Sequence, residues 1–262
     1  MNILVDGLKE ATYKSFDLLT SGRGIKRTIG GSELRLPVRL SRFYSTDYEP
    51  ETVVYLNQTL KPGDRFFDIG AHIGLFTVLG ARLVRPEGQV ISFEPTPVTR
   101  SALAEVVKLN KCTDVVSIRS EAVSRARGKA QFFDTGEAIS VTNSLVRNET
   151  TSGRTEVDTI SVDEFVGESD ILPDCMKIDV EGAELDVLTG AINVLTSKRP
   201  KVRLSLHPPF HEDSSRTLGE IWNFLKDVQY EIDDVGVAKF DRNWFCSQPD
   251  FFDVNLAPVI RT

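Results

Sequence analysis

Three carboxylates crowd one short string, Asp179-Val180-Glu181-Gly182-Ala183-Glu184, directly after the apolar Met176-Lys177-Ile178. Acids this close raise or split one another's pKa values, which suits them to taking a proton or holding a cation. Glu181 and Glu184 also have a plain reading as first-turn acids favoured by a helix dipole; Asp179 does not. Farther on, His207 stands just past the apolar Leu204-Ser205-Leu206 and before Pro208-Pro209. Its intrinsic pKa suits proton transfer near neutrality, although a loop histidine packed on its own prolines looks the same. Asp179, Glu181 and His207 are thus rival general bases. Asp179 and Glu181 could instead hold a divalent cation, but a clean ligand spacing is absent and no metal site is expected.

A second constellation lies upstream. The strand-like Arg65-Phe66-Phe67-Asp68-Ile69 enters Gly70-Ala71-His72-Ile73-Gly74, and the next strand-like run, Gln89-Val90-Ile91-Ser92-Phe93, ends at Glu94. A carboxylate at that tip can accept two hydrogen bonds from a ribose diol. A dinucleotide site would need G-x-G-x-x-G to cradle a pyrophosphate, and His72 and Leu75 stand where its second and third glycines belong. The absent glycines count against a nicotinamide oxidoreductase. What remains, D-x-G-x-x-x-G, fits a nucleoside with a cationic, amino-acid-like tail, the description of S-adenosylmethionine: glycines admit the methionine part and Asp68 can meet its ammonium.

The elements that must place these groups alternate. A helix is expected over 2–20, then a hairpin around Gly30-Gly31, then a helix from Glu49-Pro50 that ends before Pro62-Gly63. Strands follow at 65–69, 89–93, 115–119, 175–179 and 201–206, with helices at 74–84, 97–110 (capped by Thr96) and 182–196 between them. Residues 128–161 break the rhythm and read as an inserted antiparallel pair, with the polar loop 134–153 between its strands. Within that loop Ser140 to Ser144 could hydrogen-bond a sugar. Ser161-Val162-Asp163-Glu164 resembles a capping box. Ser214 or Ser215 could cap a helix through Leu225, and 230–235 with 251–256 would close the sheet as an antiparallel pair. Residues 1–47 read as a helix-and-hairpin extension, a lid, brace or dimer contact, on a main domain at 48–262.

Composition narrows the class. The chain has 262 residues, 40% hydrophobic and 26% charged, ordinary for a globular α/β domain. A formal net charge of −7 disfavours a diffuse nucleic-acid surface. Cys112, Cys175 and Cys246 show no C-x-x-C spacing, so neither a disulfide framework nor a thiolate zinc site is expected. No basic n-region and apolar h-region open the chain, and no apolar run approaches the roughly 18 residues of a membrane span, so a cytoplasmic protein without an integral membrane segment is expected.

Taken together, Tyr48-Glu49, Phe67 to Gly74, Phe93-Glu94-Pro95, Glu121-Ala122-Val123-Ser124, Ser161-Val162-Asp163 and Lys177 to Glu184 resemble the FkbM family of S-adenosylmethionine-dependent methyltransferases. The resemblance covers roughly residues 48 to 207 and is most specific at the Lys177–Glu184 string. It implies a Rossmann-like class I methyltransferase sheet, mostly parallel with an antiparallel last strand, and O-methylation of a hydroxyl on a sugar, glycan or related natural product. It places Glu49, Asp68, Gly70, Ala71, His72, Gly74, Glu94, Pro95, Glu121, Ala122 and Asp179 at the cofactor, with Glu121-Ala122 framing the adenine. His72 stands where the family more often has Asn, and Ser205 where an acid is common, so catalytic roles resting on that acid do not carry over. That serine also makes a catalytically silent, cofactor-binding member conceivable.

Overall fold

The structure, a computed structural model, describes residues 23–134, 153–233 and 240–259. The expected helix over 2–20 and the polar segment containing Ser140 to Ser144 lie outside those residues. The chain order begins with the hairpin β1 (Ile25–Ile29) and β2 (Ser32–Leu36), then a 3-10 turn (Val38–Phe43) and α1 (Pro50–Thr59). Gly30 and Gly31, at φ 53° and 83°, supply the two left-handed residues a tight hairpin turn needs.

The alternating part runs β3 (Arg65–Ile69), α2 (Leu75–Leu83), β4 (Gln89–Phe93), α3 (Pro97–Leu109) and β5 (Val116–Arg119). It continues with β6 (Ala122–Val123), β7 (Gly128–Asp134), β8 (Gly153–Ile160), α4 (Val162–Ser169), β9 (Cys175–Ile178), α5 (Glu184–Thr189), α6 (Ile192–Ser197) and β10 (Lys201–Leu206). It ends with α7 (Ser214–Asp227), β11 (Tyr230–Ile232), α8 (Arg242–Cys246) and β12 (Phe252–Pro258). Seven strands form one sheet in the order β11-β12-β10-β9-β3-β4-β5. The pairs from β10 through β5 are parallel, and β12 is antiparallel to both β10 and β11. The last strand therefore reverses direction as expected. The inserted antiparallel pair is β7 and β8, and short β6 joins it to make a second, three-stranded sheet.

Alternation along β3 explains the two-faced core. Phe66 joins the cluster that contains α1, α2, α3 and the N-terminal hairpin, while Phe67 and Ile69 join the cluster under α4 to α8. Ile29, Leu34 and Leu36 of the hairpin are buried in the first cluster, so the described part of the N-terminal segment shares that core with the sheet.

Three local expectations change. The single helix 182–196 is two, because Gly190 lies so close to the Ser124 carbonyl and the Ser161 side chain that no Cβ fits, and the chain turns there. Asp163 then accepts hydrogen bonds from Asn193 N and Val194 N, each 2.9 Å, which starts α6 anew. Asp213 rather than Ser214 or Ser215 caps α7, accepting from Arg216 N at 2.9 Å. Thr96 occupies the cap position of α3, but its side chain makes no cap bond and its N–H donates to Glu94 instead. The Ser161/Glu164 capping box forms on α4.

Candidate active site

A cavity of about 480 Å³ opens at the C-terminal ends of β3, β4, β9 and β10, where ligands bind in open α/β sheets. Its walls bring together Glu49, Gly70, His72, Glu94, Pro95, Ala122, Asp179, Glu181 and His207 from the sequence reading. Asp68, Ala71, Gly74 and Glu121 do not line it. Asp68 points to the same face as Phe66, beneath the turn, where Oδ2 accepts from Thr77 Oγ1 at 2.5 Å and Thr77 in turn meets Ser92 at 2.9 Å. Burial pushes its pKa up despite the charge of Lys177. Gly74 caps α2 at φ 93°, against Leu103. Glu121 folds back onto Arg119 and the N–H of Ser120.

The turn after β3 is shaped by a close approach. A Cβ on Gly70, which has φ 81°, would overlap the carbonyl oxygen of Asp179 on the neighbouring strand. The N–H groups of Gly70 and Ala71 both donate to Phe93 O, at 3.1 and 3.0 Å. Next in the turn, His72 takes φ 48° and its N–H donates to Glu94 Oε2 at 3.1 Å. Thr96 N donates to Glu94 Oε1 at 2.9 Å. Each oxygen of this carboxylate thus holds one backbone donor and keeps a further lone pair. Burial pushes Glu94 up to about 7, against the pull of those N–H groups and Arg100. Burial lowers the His72 ring to about 4, so it is neutral at physiological pH.

The opposite wall holds the anionic cluster. Glu181 at φ 55° and Gly182 at φ 104° swing the chain after β9 so that the Glu181 side chain turns toward β10. His207 Nδ1 lies 2.6 Å from Glu184 Oε1, and Glu184 is fully buried. The same ring presents Nε2 to Asp179 Oδ1 at 3.5 Å and Glu181 Oε2 at 3.6 Å. Asp179 Oδ2 is held by the buried ammonium of Lys177 at 2.8 Å. Burial opposes the imidazolium of His207, but the Glu184 hydrogen bond and charge, with Glu181 and Asp179 behind, lift its pKa to about 9. Burial likewise opposes ionisation of Glu184, but the hydrogen bonds of His207, His211 and Gly182 N and the charge of His207 together outweigh it, leaving Glu184 near 2. Glu181 goes the other way, pushed by burial to about 8. Asp179 stays below the usual carboxylate range, because Lys177 and His207 outweigh its burial.

Sequence reasoning left open whether Glu184 was only a dipole-favoured acid; its bond to His207, distant in sequence, decides the matter. It also missed the ring stack around His207, in which Phe210 lies 5.7 Å away and nearly parallel and Phe251 5.1 Å away. Phe251 is 57% exposed at the cavity mouth, and no local pattern in its sequence separates it from Phe252 beside it.

Comparison with known proteins places this architecture. The chain is 29% identical to the hexuronic acid methyltransferase AglP of Haloferax volcanii over 150 residues, covering 57% of this chain and 59% of that protein. It is 26% identical to Methyltransferase 1 of Beauveria bassiana over 148 residues, covering 49% of this chain and 59% of the relative. The match therefore spans about three fifths of the length of each curated relative. Among solved structures, a candidate rRNA methylase from Clostridium thermocellum superposes with a TM-score of 0.50 at 12% identity, covering 81% of this chain and 96% of that one. This last likeness concerns the fold alone. The family model "Methyltransferase FkbM domain" matches residues 68–232, the stretch that carries Glu94, Asp179, Glu181 and His207, and the chain belongs to that family.

Proposed function

We propose that this chain is an S-adenosylmethionine-dependent O-methyltransferase acting on a hydroxyl of a sugar, glycan or related natural product. The observation that carries the reading is the shared cavity: a buried carboxylate suited to a ribose diol on one wall, a proton-handling cluster on the other. S-adenosylmethionine, when bound, supplies a methyl group on a cationic sulfur, which keeps the electron pair as the acceptor oxygen takes the carbon. The residues present fit it. Glu94 has spare lone pairs on both oxygens for two ribose hydroxyls, and Ile69, Phe93, Ala122 and Val123 offer apolar walls to a purine. Glu49, with its pKa raised by burial, and Asp179 stand on the same cavity for the cationic tail.

Asp179, Glu181 and His207 converge on one side of the cavity, which supports a role for them in taking the proton of an acceptor hydroxyl. The neutral form of His207, with Nδ1–H donated to Glu184, turns the Nε2 lone pair toward Asp179 and Glu181, whereas the imidazolium is a donor only. Positioning and proton removal of this kind contribute about 10²–10⁴-fold to such reactions. The likeness to the hexuronic acid methyltransferase of Haloferax volcanii supports a sugar acceptor.

The test is titration calorimetry with S-adenosylmethionine and, separately, NADH, followed by transfer of a labelled methyl group to hexuronates and neutral sugars. Binding of the methyl donor alone, with label in a methyl ether of the acceptor, is expected. Binding of NADH alone, of neither, or label found on nitrogen, carbon or a carboxylate would refute the assignment.

A further inference from the structure

We propose that Asp179, Glu181 and His207 form a binding site for one first-row divalent cation, of the Mn²⁺ or Zn²⁺ type, with open coordination positions on the cavity. One ligand atom from each of the three lies within 4.8 Å of the others. The His207 Nε2 distances to Asp179 Oδ1 and Glu181 Oε2, 3.5 and 3.6 Å, are too long for good hydrogen bonds. They suit atoms that share an ion. Bonds of about 2.1 Å set two ligands about 3.0 Å apart at a right angle and about 3.4 Å apart at a tetrahedral one, so a small inward movement closes the site.

The second observation is the ring's support. His207 is over nine-tenths buried, 7% exposed, and its Nδ1 is bound to the fully buried Glu184. That carboxylate–imidazole arrangement fixes ring orientation and directs Nε2 as in metal-ligating histidines. Lys177 occupies Asp179 Oδ2 and leaves Oδ1 facing His207. An imidazole with two carboxylates favours Mn²⁺, Fe²⁺ or Zn²⁺ over Ca²⁺. Its use in the reaction rests on the function proposed above: the bound ion would take an acceptor oxygen and lower the pKa of that hydroxyl, whose proton would pass to solvent because the His207 Nε2 lone pair is then a ligand and no longer a base.

The experiment uses the full chain, stripped with EDTA and desalted, titrated calorimetrically with MnCl₂ and with ZnCl₂. One equivalent is expected to bind, at least tenfold more weakly in Glu181→Gln and in His207→Gln, and unchanged in Glu212→Gln at an exposed acid outside the cluster. Nitrogen coupling in the electron spin echo of Mn²⁺ bound to the wild type is expected, and it reads the imidazole ligand even where His207→Gln does not fold. Absence of saturable binding, or binding that Glu181→Gln leaves unchanged and that lacks nitrogen coupling, would overturn the site. Titrating S-adenosylmethionine into the same metal-free protein separates the two proposals: cofactor binding without cation binding removes only the cation site. Cation binding without cofactor binding removes only the methyltransferase reading.

Discussion

Truncating Glu94 to alanine removes the group on which the cofactor assignment rests. In the structure its two oxygens accept from His72 N at 3.1 Å and Thr96 N at 2.9 Å, and their remaining lone pairs face the cavity. Two hydroxyl bonds to a carboxylate, each worth about 1.5–3 kcal/mol, sum to about 3–6 kcal/mol of lost cofactor affinity. At about 1.4 kcal/mol per decade that is roughly 10²–10⁴-fold in Kd. Stability changes much less, because Glu94 is buried with its ionisation disfavoured, and water can enter from the cavity to meet the two freed N–H groups. Calorimetric titration of wild type and Glu94→Ala with S-adenosylmethionine, beside thermal melts of both, measures the two effects separately. A folded Glu94→Ala that binds within threefold of wild type refutes the ribose role.

Three further outcomes follow from the same geometry. Burial holds the Glu94 carboxyl near 7, so the diol-accepting carboxylate forms as pH rises through that value; cofactor affinity should fall up to about tenfold from pH 8 to pH 6, with a flatter profile in Glu94→Gln. Gly70→Ala forces a Cβ onto the Asp179 carbonyl at a left-handed φ of 81°, and should lower stability by more than about 3 kcal/mol, read as loss of the cooperative melt or a large drop in Tm. Ser161→Ala removes the side-chain half of the capping box on α4, leaving the backbone N–H of residue 161 to bond Glu164, and should cost about 1 kcal/mol, a fall of roughly 2–4 °C in Tm with cofactor affinity unchanged.

The positions of the sheet strands were legible because each is a short apolar run bounded by Gly, Pro or a charge, and β3, β4 and β10 fall where that punctuation puts them. The break between α5 and α6 was not, since Leu185, Leu188, Ile192 and Leu195 keep one helical stripe through it. The kink comes from a close approach of Gly190 to Ser124, a contact between distant segments. The same limit governs the site. Glu94, Asp179 and Glu181 could be found from strand-end placement, but that Asp68 turns under the sheet toward Thr77 depends on the parity of β3, and that Glu184 holds His207 depends on how β9 and β10 lie side by side. Lys177 read as part of an apolar strand, and only its 2% exposure beside Asp179 marks it as the counter-charge of the cluster.

Gly70 and Asp179 directly follow the adjacent parallel strands β3 and β9 and are in backbone contact, and Asp179 N donates to Ile69 O at 3.0 Å. On the function proposed above, the donor and acceptor sides of the cavity would be held apart by a strand spacing, about 4.8 Å in any sheet, rather than by a hinge. This works as a fixed ruler. Segments that cover the cavity can be exchanged to admit a different acceptor while the line from leaving atom to attacking atom keeps its length, so substrate range and reaction geometry are free to evolve independently. By the same logic, substitutions that alter acceptor choice belong at the rim, at Phe251, and substitutions beneath the turn should abolish every acceptor equally.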